Sequence, residues 1–208
     1  MNVDFKFYGI TSRAGRSPEE FIDHLQNAVN AGVRAIQVRE KDLTPRDLWS
    51  LCQSVKALCE KTSTRVFVND RVDIVLGLDL DGIHLTESSL PVAEIRRIVG
   101  STKWIGVSTH DWKGAMAAAE SGADFVVCGP LAPTPSKPAG HSILSETIFR
   151  QICHDVPIPV FALGGMQTGT IRHWLEAGAH GVAGISLLMD PHDLFGRIDL
   201  IKKKLGHL

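Results

Sequence analysis

Short apolar runs alternate with amphipathic stretches along the whole chain. Read with a period of two for strands and 3.6 for helices, the runs predict eight strands, at residues 7–10, 35–39, 66–69, 82–85, 104–108, 125–128, 159–163 and 181–185. Between them, helical patterns fall at 18–31, 44–61, 112–121 and 168–177, among others. Thr44-Pro45 is a strong helix start, with Thr as N-cap and Pro at the first helical position. Three helix-to-strand joints share a device: Gly32, Gly122 and Gly178 each stand where a helix should end, just before an apolar run. Glycine accepts the left-handed conformation that closes a helix.

Repeated strand–helix units with short joints predict a parallel sheet. Eight of them in 208 residues predict closure as a single-domain (β/α)8 TIM barrel spanning residues 1–208. A doubly wound open sheet is the alternative, but no GxGxxG follows the first strand. Composition agrees with a full-sized core: 44% hydrophobic and 22% charged residues, with a formal net charge of −1. Nothing in that balance points to nucleic acid or an acidic membrane surface. Cys52, Cys59, Cys128 and Cys153 show no CxxC spacing, which suits a reducing compartment. No apolar run reaches the ~20 residues of a membrane span and no signal-peptide pattern opens the chain, so a cytoplasmic location is expected.

The barrel directs attention to the C-terminal ends of its strands, where active sites of this fold lie. Gln37, Arg39 and Lys41 alternate at the end of the second run and so share one face. An amide and two cations replace the Val or Ile expected of a buried strand, so this face should meet water or an anionic ligand. Asn69-Asp70 ends the third run, though taken alone it reads first as a cap of the following helix. The fourth carries His84, Thr86, Glu87, Ser88 and Ser89. Ser108, His110 and Asp111 end the fifth; they hold the letters of a hydrolase triad, but adjacency is not triad geometry and no GxSxG elbow is present. A Pro-rich loop with Thr134, Ser136 and Lys137 follows the sixth. Gly164-Gly165 and Gly184-Ile185-Ser186 end the seventh and eighth, the usual place of a barrel's phosphate site. Two anion sites on one rim, one cationic and one of backbone N–H groups, point to phosphorylated substrates. Asp70 could hold Mg2+, the usual bridge from carboxylate to diphosphate oxygens.

These segments, taken in order, resemble the thiamine phosphate synthase family, which includes related thiazole tautomerases. The resemblance rests on Gln37-Val38-Arg39-Glu40-Lys41, Asn69-Asp70-Arg71-Val72-Asp73, Asp81-Gly82-Ile83-His84-Leu85, the run from Ile105 to His110, that from Gly129 to Lys137, and Leu163-Gly164-Gly165-Met166. It implies an enzyme, a transferase, coupling an aminopyrimidine diphosphate with a thiazole phosphate to give thiamine phosphate and pyrophosphate, with Mg2+ as cofactor. It assigns Gln37 and Asn69 to the pyrimidine, and Arg39, Lys41, Asn69, Ser108 and Lys137 to the diphosphate. Thr134 and Ser136 fall to the thiazole, Gly165, Ile185 and Ser186 to its phosphate, and Asp70 to the metal. A homodimer is common among barrels of this family.

Two positions depart from the family pattern. Ser89 stands where the synthases carry a second metal-binding Asp, with Glu87 two residues before it. The tautomerases carry a catalytic His at the place held here by Pro130, which cannot transfer a proton. A tautomerase-like or divergent paralogue and a non-catalytic binder of thiamine precursors are the alternative readings.

Overall fold

The computed structural model describes residues 3–134 and 142–206. Eight parallel strands, β1 (Phe7–Ile10), β2 (Ala35–Val38), β3 (Arg65–Asn69), β4 (Gly82–Leu85), β5 (Trp104–Thr109), β6 (Phe125–Cys128), β7 (Val160–Leu163) and β8 (Gly181–Gly184), each pair with the next. The barrel closes where β1 pairs with β8, Phe7 opposite Val182 and Gly9 opposite Gly184. The expected (β/α)8 barrel is therefore what forms, and strand boundaries fall within a residue of those expected.

Around it lie α1 (Pro18–Asn30), α2 (Pro45–Cys59), α3 (Val72–Gly77), α4 (Val92–Val99), α5 (Trp112–Glu120), α6 (Glu146–Asp155), α7 (Ile171–Glu176), α8 (Ser186–Met189) and α9 (Leu194–Leu205). The Thr44 hydroxyl accepts from the Asp47 N–H at the start of α2, as its sequence predicts. Gly32, Gly122 and Gly178 all adopt positive φ, near +93° to +102°, after α1, α5 and α7. Cys52 and Cys59 both face the core from α2. All four cysteines are unpaired thiols. Among the described residues, no helix is long and apolar enough to cross a membrane.

Alternation along the strands splits the core in two. Phe7, Ile36, Val38, Val66, Val68, Ile83, Ile105, Val126 and Val182 point outward and pack on the helices. Tyr8, Ala35, Phe67, Phe125, Phe161 and Ala183 point inward, joined by Phe5 from the segment before β1. Both strand faces are thus apolar at this level, the pattern of a parallel sheet covered by helices. The Phe5 ring lies 5.5–5.8 Å from the rings of Tyr8, Phe67, Phe125 and Phe161. Glycines make room for this plug: a Cβ on Gly106 would lie 2.4 Å from the Phe125 ring. With the N-terminal half of the barrel filled by aromatic rings, open space is left to the C-terminal half.

Candidate active site

Moving up β2, β3, β4 and β5, the next inward positions turn polar, at Gln37, Asn69, His84 and Ser108, while Ile10 and Val127 keep β1 and β6 apolar there. Above them the strand ends open into a cavity of about 950 Å3. Gln37, Arg39 and Lys41 all line it, so the two-residue alternation read from the sequence continues past the end of β2. Asn69, Ser108, Thr134, Gly165, Ile185 and Ser186 line it as well. The segment with Ser136 and Lys137 lies outside the described residues.

Two side-chain amides carry buried hydrogen-bonding atoms that are unused. Gln37 is 1% exposed, yet its Nε2 has no partner among the described residues, nor does the buried Oδ1 of Asn69. A buried polar atom left unpaired costs about 1–3 kcal/mol. The helix-cap reading of Asn69-Asp70 does not hold: α3 starts after Arg71 and has no side-chain cap. These atoms, a donor on β2 and an acceptor on β3, suit a flat heterocycle offering both kinds of group.

The cations beside them are aimed by their backbone. The Thr11 hydroxyl, after β1, donates to Glu40 Oε1 at 2.6 Å and accepts the Arg39 N–H at 3.0 Å. The second Glu40 oxygen accepts the Arg13 N–H at 3.0 Å, and the Arg13 guanidinium lies 3.6 Å away. Glu40 is buried and so is satisfied locally, while Arg39 and Lys41 form no side-chain hydrogen bond or ion pair among the described residues. Their charge is thereby available to an anion.

Below the cations, His84 Nε2 lies 2.8 Å from Ser108 Oγ and His84 Nδ1 lies 3.4 Å from the Tyr8 hydroxyl. Burial, aided by Arg39, pushes the His84 pKa down to about 3, so the ring is neutral. The triad letters part company: Ser108 pairs with His84, Asp111 caps α5 through the Gly114 N–H at 2.7 Å, and His110 Nδ1 meets the Gly129 carbonyl.

Opposite the cations, Gly164 and Gly165 take φ of +103° and +61° after β7. A Cβ on Gly164 would lie 2.7 Å from Pro130 Cα, so only glycine allows the β7 loop to sit against the β6 loop. Ile185 and Ser186 bring the start of α8 to the same wall.

Asp70, exposed and with φ of +59°, stands at the end of β3 but does not line the cavity. Thr86, Glu87 and Ser88 do line it, whereas the Ser89 hydroxyl turns back to accept the Thr86 N–H at 2.8 Å. Among the described residues, no three His, Cys, Asp or Glu side chains gather as a metal cage. Isolated carboxylates on a rim fit Mg2+ of the kind held by one or two carboxylates plus substrate oxygens.

Sequence reading gave no role to Thr11, Tyr8 or Glu40, and it noted His84 without assigning it. Glu40 had a signal, a carboxylate following a strand whose outward positions are all apolar; Tyr8 and Thr11 had none. Arg16, Gln167 and Asp190 also line the cavity and were likewise not anticipated.

The sequence profile of the family described as thiamine monophosphate synthase matches residues 7–188. A putative thiamine-phosphate synthase of Geobacter sulfurreducens is 42% identical over 91% of this chain and 89% of its own length. A thiamine-phosphate synthase of Campylobacter jejuni is 36% identical over 98% of this chain and 95% of its own. Among solved structures, the thiamine phosphate pyrophosphorylase of Pyrococcus furiosus superposes with a TM-score of 0.86 at 28% identity, covering 97% of this chain and 95% of its own.

Proposed function

Because the chain belongs to the thiamine monophosphate synthase family, we propose that its cavity couples an aminopyrimidine diphosphate to a thiazole phosphate, releasing pyrophosphate. The enzyme class is transferase. The observation that carries the assignment of substrates to walls is the pair of unused buried atoms, Gln37 Nε2 and Asn69 Oδ1, beside the uncommitted cations Arg39 and Lys41.

In this reading Gln37 and Asn69 bind the pyrimidine edge. Arg39, Lys41 and Ser108 hold the diphosphate, with Lys137 joining from the loop after β6. Thr134 and Ser136 border the thiazole, and the backbone at Gly165, Ile185 and Ser186 holds its phosphate. The hard event is departure of diphosphate from a carbon gaining positive charge, so the catalytic groups are cations and donors that stabilise the leaving group. A general base has little to do, which agrees with a neutral His84 and with Pro130 standing where a tautomerase carries His. Asp70 is the proposed protein ligand of Mg2+, which when bound supplies positive charge to the diphosphate oxygens. Ser89 offers no carboxylate at this rim, so Asp70 would be the protein's own ligand to the ion. A cytoplasmic homodimer belongs to the same proposal, and the exposed Leu76 on α3 and Ile98 on α4 offer it apolar surface.

The test is incubation with Mg2+ and both substrates, followed by chromatography. Thiamine phosphate should accumulate; isomerisation of a carboxythiazole phosphate with no coupled product would contradict the reading.

A further inference from the structure

Tyr8, His84 and Ser108 form a line that runs from the aromatic plug to the cavity wall. The Tyr8 side chain is fully buried, and burial raises its pKa well above the ordinary 10.0, so it keeps its proton. Among the described residues that proton has one acceptor, His84 Nδ1 at 3.4 Å. An imidazole that accepts at Nδ1 carries a lone pair there, and a neutral ring then has its hydrogen on Nε2. Nε2 faces Ser108 Oγ at 2.8 Å, so the ring donates and the serine oxygen accepts. The hydroxyl's own hydrogen has no place on the His84 side and must turn toward the cavity.

We infer that Tyr8 and His84 are positioning residues that fix the polarity of Ser108, making its hydroxyl an obligate donor to an anionic oxygen in the cavity. The consequence for the diphosphate rests on the function proposed above. With the opposite tautomer, Ser108 would donate to His84 and present a lone pair to the ligand, repelling a phosphate oxygen. The buried phenol thus sets, from the barrel interior, which chemical groups the wall accepts. His84 acts through Ser108 and moves no proton in the reaction.

Two measurements on the full-length protein decide the matter. In 15N-labelled wild-type protein, the His84 ring should show a protonated Nε2 and an unprotonated Nδ1, unchanged between about pH 6 and 8 given its depressed pKa. A hydrogen on Nδ1 overturns the inference. Calorimetric titration with inorganic pyrophosphate and Mg2+ then reads the consequence. Ser108→Ala should bind roughly ten-fold more weakly, the loss expected for a hydrogen bond to a charged group, and His84→Leu, which keeps the Ser108 hydroxyl but leaves its hydrogen free to rotate, should lose a measurable part of that. Their double variant should lose no more than Ser108→Ala alone, since His84 acts only through the serine hydroxyl. His84→Gln restores an N–H toward Ser108 and should recover most of the affinity. Tyr8→Phe, which lets the two tautomers mix, should fall between. Wild-type affinity in folded Tyr8→Phe and His84→Leu overturns the inference. Absence of pyrophosphate binding by wild type would sink the diphosphate assignment instead, with the ring tautomer still read by the nitrogen shifts.

Discussion

The Thr11 hydroxyl sits between two strand ends, donating to Glu40 Oε1 at 2.6 Å while accepting the Arg39 N–H at 3.0 Å. One small side chain thereby fixes the backbone from which Arg39 reaches the cavity. Thr11→Val keeps the shape but removes both bonds, leaving a part-buried N–H and part of a buried carboxylate without partners. Urea unfolding should show a loss of about 1–3 kcal/mol. Steady-state kinetics should show the KM for the diphosphate substrate rising more than that for the thiazole phosphate.

Arg39→Ala separates ligand binding from folding. The guanidinium bonds to nothing else among the described residues, so unfolding free energy should change by no more than about 0.5 kcal/mol. Loss of a charge-assisted contact to diphosphate should weaken that substrate by about ten-fold or more. Unfolding of the variant, or equal weakening of both substrates, would refute the assignment.

Gly106→Ala tests the aromatic plug. The added Cβ would lie 2.4 Å from the Phe125 ring and 3.0 Å from His84 Nδ1. Overpacking of this kind costs about 1–3 kcal/mol. Thermal melts should fall accordingly, and pyrophosphate binding should weaken as His84 shifts against Ser108.

Acid should find His84 early. Its folded pKa of about 3 lies below the ~6.5 of an unfolded histidine, so between these values the unfolded chain binds the extra proton. The stability contributed by the neutral ring is complete above about pH 6.5 and is lost as pH falls toward 3, by up to about 1.4 kcal/mol per unit. His84→Gln has no such proton to take up. Chemical denaturation at pH 7, 6, 5 and 4 should therefore give a shallower acid slope for the variant than for wild type; parallel slopes would contradict a neutral buried ring.

The barrel was legible because each of its strands announces itself by an apolar run and several helices by a cap, as at Thr44, or a closing glycine, as at Gly32 and Gly178. Gln37, Arg39 and Lys41 were legible for the same reason: the period of two that buries Ile36 and Val38 outward turns the polar residues inward. What resisted reading depends on contacts across strands. Thr11 meets Glu40 from 29 positions away and Tyr8 meets His84 from 76, and no local pattern encodes either meeting. Asn69 misled in a different way, since a helix-capping residue and a ligand-binding one look alike until α3 is seen to begin beyond it. The tight turn that occupies the Ser89 hydroxyl is likewise a local geometry with no mark in the sequence.

The central claim is that one cavity brings an aminopyrimidine diphosphate and a thiazole phosphate together and lets pyrophosphate leave. Pyrophosphate release from the pyrimidine substrate, followed in Mg2+ while the thiazole phosphate is titrated in, tests it most directly. Release should rise saturably with the thiazole phosphate, match thiamine phosphate formed, and collapse in Arg39→Ala. Release that ignores the thiazole phosphate, or none with both substrates present, would contradict the claim.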